Sequence, residues 1–243
     1  MNFQNILQDY DQYRELQNSL NRTPVSVSGV EESARAQLIY ALFEEQEKNV
    51  LAVCYSDMEA QALAADLGFY TEQVQTFPSK EYIFYNIETS GRGNENARLS
   101  ILSALSDGQK KITVASLDAL LQYTIPKQEL EKHTISFELG DRFDLEELCK
   151  RLIVMGYSRE EIVEGEGQFA LRGGILDVFS PNYENPLRIE FFDDETDSIR
   201  LFDRVSQRSM DKIDSAAVIP VREAILTDEK RDQIAEILKK RMD

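Results

Sequence analysis

A chain of 243 residues with 27 Lys and Arg against 44 Asp and Glu carries a formal net charge of −17, a field that repels a nucleic-acid backbone and argues against unaided nucleic-acid binding. Its 42% apolar and 29% charged composition is that of a globular protein with a sizeable core, and no apolar run approaches the roughly 20 residues of a membrane span. Two cysteines, Cys54 and Cys149, with no CxxC pair and a single histidine, His133, leave neither a disulfide framework nor a structural zinc site.

The opening MNFQNILQDYDQYREL is polar and acidic, without the basic start and apolar core of a signal peptide, so a cytoplasmic location is expected. Ile6, Leu7, Tyr10, Tyr13, Leu16 and Leu20 recur at three- and four-residue spacing and predict a helix over residues 4–20. A β-branched run from Pro24 to Ser28 then leads through Gly29 into a helix over 32–46. The run NVLAVC (49–54) reads as a buried parallel strand, and Ser56 or Asp57 caps a helix that stops at Gly68. Strands over 73–77 and 111–115, a helix over 94–106 and another after Ser116 continue the alternation, which predicts an α/β fold with a doubly wound parallel sheet. Between them, the connection 78–93 carries Tyr82, Phe84 and Tyr85.

Pro126 marks a change of pattern. One strand (133–139), one helix (144–155, capped by Asp144) and a cluster of alternating strands follow, as in a smaller α+β domain with antiparallel strands. The strands fade near Val221, and the remainder is a charged helix with a thin stripe of Ile234, Ile237 and Leu238. Its lack of a C-cap leads us to expect that the native protein continues. The expected division is 1–125, 126–217 and 218–243, the last being the start of a return segment to the first domain.

Catalytic signals are weak. A phosphate loop of the form GxxxxGK[ST] needs glycines for close backbone approach, a lysine for the phosphates and a hydroxyl for magnesium. In register, Gly29 is followed by Ala34 at the second glycine, Arg35 at the lysine and Ala36 at the magnesium ligand, with Glu31 and Glu32 opposing an anion. This is a degenerate nucleotide loop, and no cofactor is expected. IEFFDDE (189–195) looks like a metal-binding strand end, but Arg188 and Glu190 alternate with Leu187, Ile189 and Phe191, so Asp193 to Glu195 read as a hairpin loop. His133 sits beside Lys132 at a domain join and reads as a surface residue.

The informative stretch is 168–203. In QFALR, Phe169 and Leu171 face one way and Gln168, Ala170 and Arg172 the other; Gly173 and Gly174 then permit a bulge or close approach. In LRIEFF, the outward set is Arg188, Glu190 and Phe192. Arginine and exposed aromatic residues are the types enriched at binding hot spots, so this face is a candidate docking surface. Its bland counterpart is a hairpin that covers itself, with arginines paired to neighbouring acids.

GEGQFALRGGILDVFSPNYENPLRIEFFDDETDSIRLFDRVSQRS closely resembles the UvrB-like module at the N-terminus of bacterial transcription-repair coupling factors, in its FALRGGILDVF core, its RIEFFDDE hairpin and its FDRVSQRS tail. The first 125 residues are similar more loosely, including the degenerate loop and the helix containing Arg98-Leu99. The resemblance implies a degenerate RecA/helicase-like first domain without a working nucleotide site, and a second domain that recruits UvrA to stalled transcription complexes. Carried over by motif position, it implies partner contacts by Arg172, Arg188 and Phe192. It further implies that RNA polymerase and double-stranded DNA bind through domains absent here, and that another domain of the intact protein covers the UvrA site at rest. The alternative is a UvrB-type ATP-dependent enzyme that loads onto damaged DNA.

Overall fold

The computed structural model describes residues 7–20, 22, 24–46, 48–80, 93–225 and 227–242. By its internal contacts the chain divides into two units, one of residues 1–79 and 108–122, the other of 80–107 and 123–243.

In the first unit, helix α1 (Asp11–Ser19) precedes α2 (Glu32–Gln46), β1 (Val50–Cys54), α3 (Asp57–Gly68), β2 (Val74–Phe77), β3 (Ile112–Ser116) and α5 (Leu117–Leu121). The strands form a parallel sheet in the order β1-β3-β2. Ser56 caps α3 by accepting from the Glu59 amide, and Ser116 caps α5 by accepting from the Ala119 amide. Ala36 and Phe43 of α2 and Ala60 and Leu67 of α3 pack with Ile112 and Val114 and with one face of β1, Val50, Ala52 and Cys54.

Two expectations fail in this unit. Residues 24–28 form no strand: Val25 and Val27 are exposed, and with no neighbouring strand to pair with, β-branched residues alone do not make one. Nor is β1 buried on both faces, because Leu51 and Val53 are 55% and 53% exposed. The second face of the sheet is open at β1, whereas the central strand β3 is buried at every residue, and no full doubly wound arrangement is seen among the described residues. The expected start of the first helix at residue 4 and the aromatic connection with Tyr82, Phe84 and Tyr85 fall outside the described residues.

The second unit holds α4 (Gly93–Ser106), α6 (Lys127–His133), β4 (Ile135–Glu138), α7 (Leu145–Val154), β5 (Ser158–Arg159), β6 (Gln168–Arg172), β7 (Ile175–Val178), β8 (Leu187–Phe192), β9 (Glu195–Phe202), β10 (Ser209–Ile213), β11 (Ser215–Val218) and α8 (Asp228–Met242). Pro126 precedes α6, a helix to which the sequence reading assigned no element, its strand beginning only at His133. It half-buries His133 against Glu129, correcting the expected surface position; burial holds the imidazole below its usual pKa. Asp144 caps α7 by accepting from the Glu146 and Glu147 amides, as expected.

The six-stranded sheet runs β10-β9-β8-β7-β6-β5, antiparallel throughout except for β5 beside β6, while β11 pairs separately with β4. Its core face, Phe169, Leu176, Val178, Leu187, Ile189, Phe191 and Ile199, packs with Leu148 and Leu152 of α7. The described residues are therefore mixed α/β, with a three-stranded parallel sheet, a six-stranded and mostly antiparallel sheet, and a two-stranded antiparallel pair. No helix among the described residues is long and apolar enough to cross a membrane.

Candidate functional site

The alternation that buries Leu176 and Val178 sends Asp177, between them on β7, to the opposite face of the sheet. There it pairs across the strands with Ala170 of β6 and Arg188 of β8. Asp177 is completely buried, and two arginines close over its carboxylate. Arg188 binds it in a fork, Nε donating to Oδ1 at 2.7 Å and Nη2 to Oδ2 at 2.9 Å. Its Nη1 donates to the Gln207 carbonyl at 3.3 Å, and the guanidinium lies 4.6 Å over the Phe202 ring. Hydrogen bonding to Asp177 raises the Arg188 pKa further, so the group is a permanent cation.

Arg172, reaching in from β6, donates from Nη2 to Asp177 Oδ2 at 2.5 Å and from Nη1 to the Glu161 carbonyl at 2.8 Å. The two arginines differ in access: the Arg188 side chain is 15% exposed, that of Arg172 47%. Together with Arg159, Ile162, Leu171 and Gln207 they line an open cleft of about 650 Å³. The face is not wholly solvated. Ala170, expected to point outward, is 2% exposed because Val163, Phe179 and Phe202 form a small second cluster over it.

Phe192 lies at the far end of β8, four residues from Arg188 and so roughly 13 Å along the strand at the usual rise. It is 81% exposed, whereas Phe191 turns to the core and meets Phe143 edge-on with ring centroids 6.1 Å apart. Glu190, between the arginine and the phenylalanine, accepts from the Ser198 hydroxyl at 2.7 Å. The structure thus puts Arg172 and Arg188 on one carboxylate and Phe192 apart from them at the edge of the same face.

The hairpin carrying Phe192 is braced. Its turn is Asp193 and Asp194, Asp193 having φ 61°, and Glu195, which the sequence reading placed in the hairpin loop, already belongs to β9. Arg142 donates to Asp194 at 3.4 Å and to Glu195 at 2.8 Å. The Phe143 amide donates to the Asp194 carbonyl, and the Thr196 amide to that of Asp141. These carboxylates therefore already have a cation, and no group of three metal-ligating side chains occurs among the described residues.

Gly173, at φ +59°, makes the β6–β7 turn, and the Gly174 carbonyl accepts from the Phe191 amide at 2.7 Å. A Cβ on Gly174 would lie 2.7 Å from the Phe191 carbonyl oxygen, backbone that cannot swing aside. Gly174→Ala is expected to cost about 1–3 kcal/mol through this clash. Chemical denaturation checks the stability, and amide shifts confined to residues near Phe191 would locate the strain.

Where the sequence suggests a degenerate nucleotide loop, Gly29 adopts φ +78° beside an open groove of about 580 Å³ that also contains Glu32, Arg35, Glu59 and Asp66. Ala34 is half-buried, Arg35 exposed, and Ala36 buried against the sheet.

Sequence reasoning singled out Arg172, Arg188 and Phe192 but not Asp177 and Phe202, which contact the arginines, or Arg142, which braces the hairpin. Asp177 had a signal, an acid within the otherwise apolar run ILDVF on the strand between the two arginines.

Residues 135–223 match the model of the UvrB interaction domain family. The chain is 30% identical over 230 residues to the transcription-repair-coupling factor of Staphylococcus haemolyticus, covering 92% of this chain and 20% of that protein. It is 34% identical over 216 residues to that of Myxococcus xanthus, covering 85% and 18%, and 28% identical over 236 residues to that of Staphylococcus aureus strain MRSA252, covering 96% and 20%. The chain spans about a fifth of the length of these relatives.

Proposed function

Because residues 135–223 carry a UvrB interaction domain and nearly the whole chain is related to transcription-repair-coupling factors, we propose that it is a non-catalytic adaptor that recruits UvrA to stalled transcription complexes. On this reading residues 126–217 are the docking domain, contacting UvrA through Arg172, Arg188 and Phe192, and 218–243 begin the return segment. The observation that carries it is Phe192, a large apolar side chain 81% exposed on a braced hairpin, beside a face with two fixed arginines. Exposed aromatic residues on rigid backbone lose little entropy on binding and are frequent anchors.

The α/β unit is, on the same reading, a helicase-like domain whose nucleotide loop no longer works. Ala36 supplies no magnesium hydroxyl, and Glu31 and Glu32 stand where a phosphate would lie. In the intact protein, RNA polymerase and double-stranded DNA would bind through other domains, and an intramolecular domain would mask the UvrA site at rest.

Calorimetry of the chain with purified UvrA, and separately with ATP and magnesium, tests the proposal. Saturable binding to UvrA and no heat with ATP are expected. ATP binding would replace the adaptor by the damage-loading enzyme, and no UvrA binding would remove the docking function.

A further inference from the structure

We infer that Asp177 is the positioning residue of the docking face, holding Arg172 and Arg188 in one fixed arrangement before any partner arrives. The inference rests on the docking function proposed above and adds a residue that would touch no partner, since Asp177 is completely buried.

The geometry carries it. Arg172 and Arg188 stand on β6 and β8, the two neighbours of the strand that carries Asp177. Both Asp177 oxygens are engaged, Oδ1 by Arg188 and Oδ2 by both arginines, at 2.5 to 2.9 Å. A single carboxylate shared by two guanidinium groups cancels part of their mutual repulsion and fixes the plane of each. The remaining anchors complete the arrangement: the Glu161 carbonyl holds the other arm of Arg172, and the Gln207 carbonyl and Phe202 ring hold Arg188. Arg200, paired directly across from Arg188 on β9, makes no ion pair among the described residues, so a free cation is available on the same face for comparison. An arginine side chain loses several rotatable bonds when a partner fixes it, and fixing it beforehand removes that cost from binding.

The test is a double-mutant cycle read in UvrA affinity, using Asp177→Asn, Arg172→Ala and the double variant, with Phe192→Ala as a separate control. Asp177→Asn alone is expected to weaken binding at least tenfold. Adding Arg172→Ala should then cost less than threefold more, although Arg172→Ala costs at least tenfold in the parent. A purely structural Asp177 would leave the two losses multiplicative. If the parent does not bind UvrA, or Phe192→Ala changes nothing, the docking reading itself fails. Should Phe192→Ala weaken binding while Asp177→Asn leaves it unchanged or multiplicative with Arg172→Ala, only the positioning role is lost.

A second measurement uses the unmodified chain and serves if Asp177→Asn does not fold. Nuclear magnetic resonance of the arginine side chains should show the Arg188 Nε–H slow to exchange and the guanidinium Nη groups of Arg172 and Arg188 restricted in rotation, with Arg200 mobile. Equal mobility of all three would overturn the inference.

Discussion

Phe192→Ala is expected to weaken UvrA binding by roughly 30-fold or more, the equivalent of about 2 kcal/mol, the scale of a hot-spot truncation. The same substitution should leave stability within about 0.5 kcal/mol, because an exposed side chain away from the core contributes little to folding. The contrast with Phe191 makes the prediction specific. Phe191 is 9% exposed and packs with Phe143, so Phe191→Ala should unfold or loosen the sheet, at about 3–5 kcal/mol. Neighbouring phenylalanines of opposite orientation thus separate docking from folding. Titration calorimetry with UvrA and denaturant midpoints for both variants check the pair. Full binding by Phe192→Ala would mean that the ring only covers its own hairpin.

The antiparallel sheet was legible because each strand has one core face and one other face, so a period of two sorts its residues unambiguously. Leu187, Ile189 and Phe191 fell inward and Arg188, Glu190 and Phe192 outward, as the alternation requires. The same reasoning could not show that a second small cluster covers Ala170, because Val163, Phe179 and Phe202 lie outside its strand and only the fold brings them together. It offered arginines paired to neighbouring acids as the bland alternative, and the structure shows such a pairing, but the alternation did not single out Asp177 as the one acid that joins both.

The α/β unit was read less well for a related reason. Helices Glu32–Gln46 and Asp57–Gly68 were found from periodicity and capping. A short apolar run, however, says nothing about whether both faces will be covered, and Leu51 and Val53 are not. The β-branched residues Val25 and Val27 likewise carry strand propensity without a strand to pair with.

Arg98 was marked in the sequence only through the resemblance and with no role, yet its replacement should have one of the largest effects on stability. It lies on α4 with its side chain fully buried, and its Nε donates to Glu223 Oε1 at 2.6 Å, Glu223 being 2% exposed. Lys80 holds the other carboxylate oxygen of Glu223 at 2.9 Å, and the Glu223 amide donates to Glu95 at 2.8 Å. Around this network Leu99, Ile125, Leu130, Ile219 and Ile225 form an apolar cluster. Removing one member of a buried pair leaves the other's charge without enough compensation, so Arg98→Ala is expected to cost about 3–5 kcal/mol.

Lys80 tempers this loss but cannot replace it, since its ammonium reaches only the second oxygen. Removing both buried charges is a different case, because the pair itself was costly to desolvate. Arg98→Met combined with Glu223→Leu should therefore recover much of what Arg98→Ala loses, and denaturant midpoints for the two variants decide it. If Arg98→Ala shifts stability by less than about 1 kcal/mol, the pair is better solvated than its burial indicates. A large loss recovered by the apolar pair would show that Arg98 and Glu223 select which segments meet, while the surrounding leucines and isoleucines supply the stability.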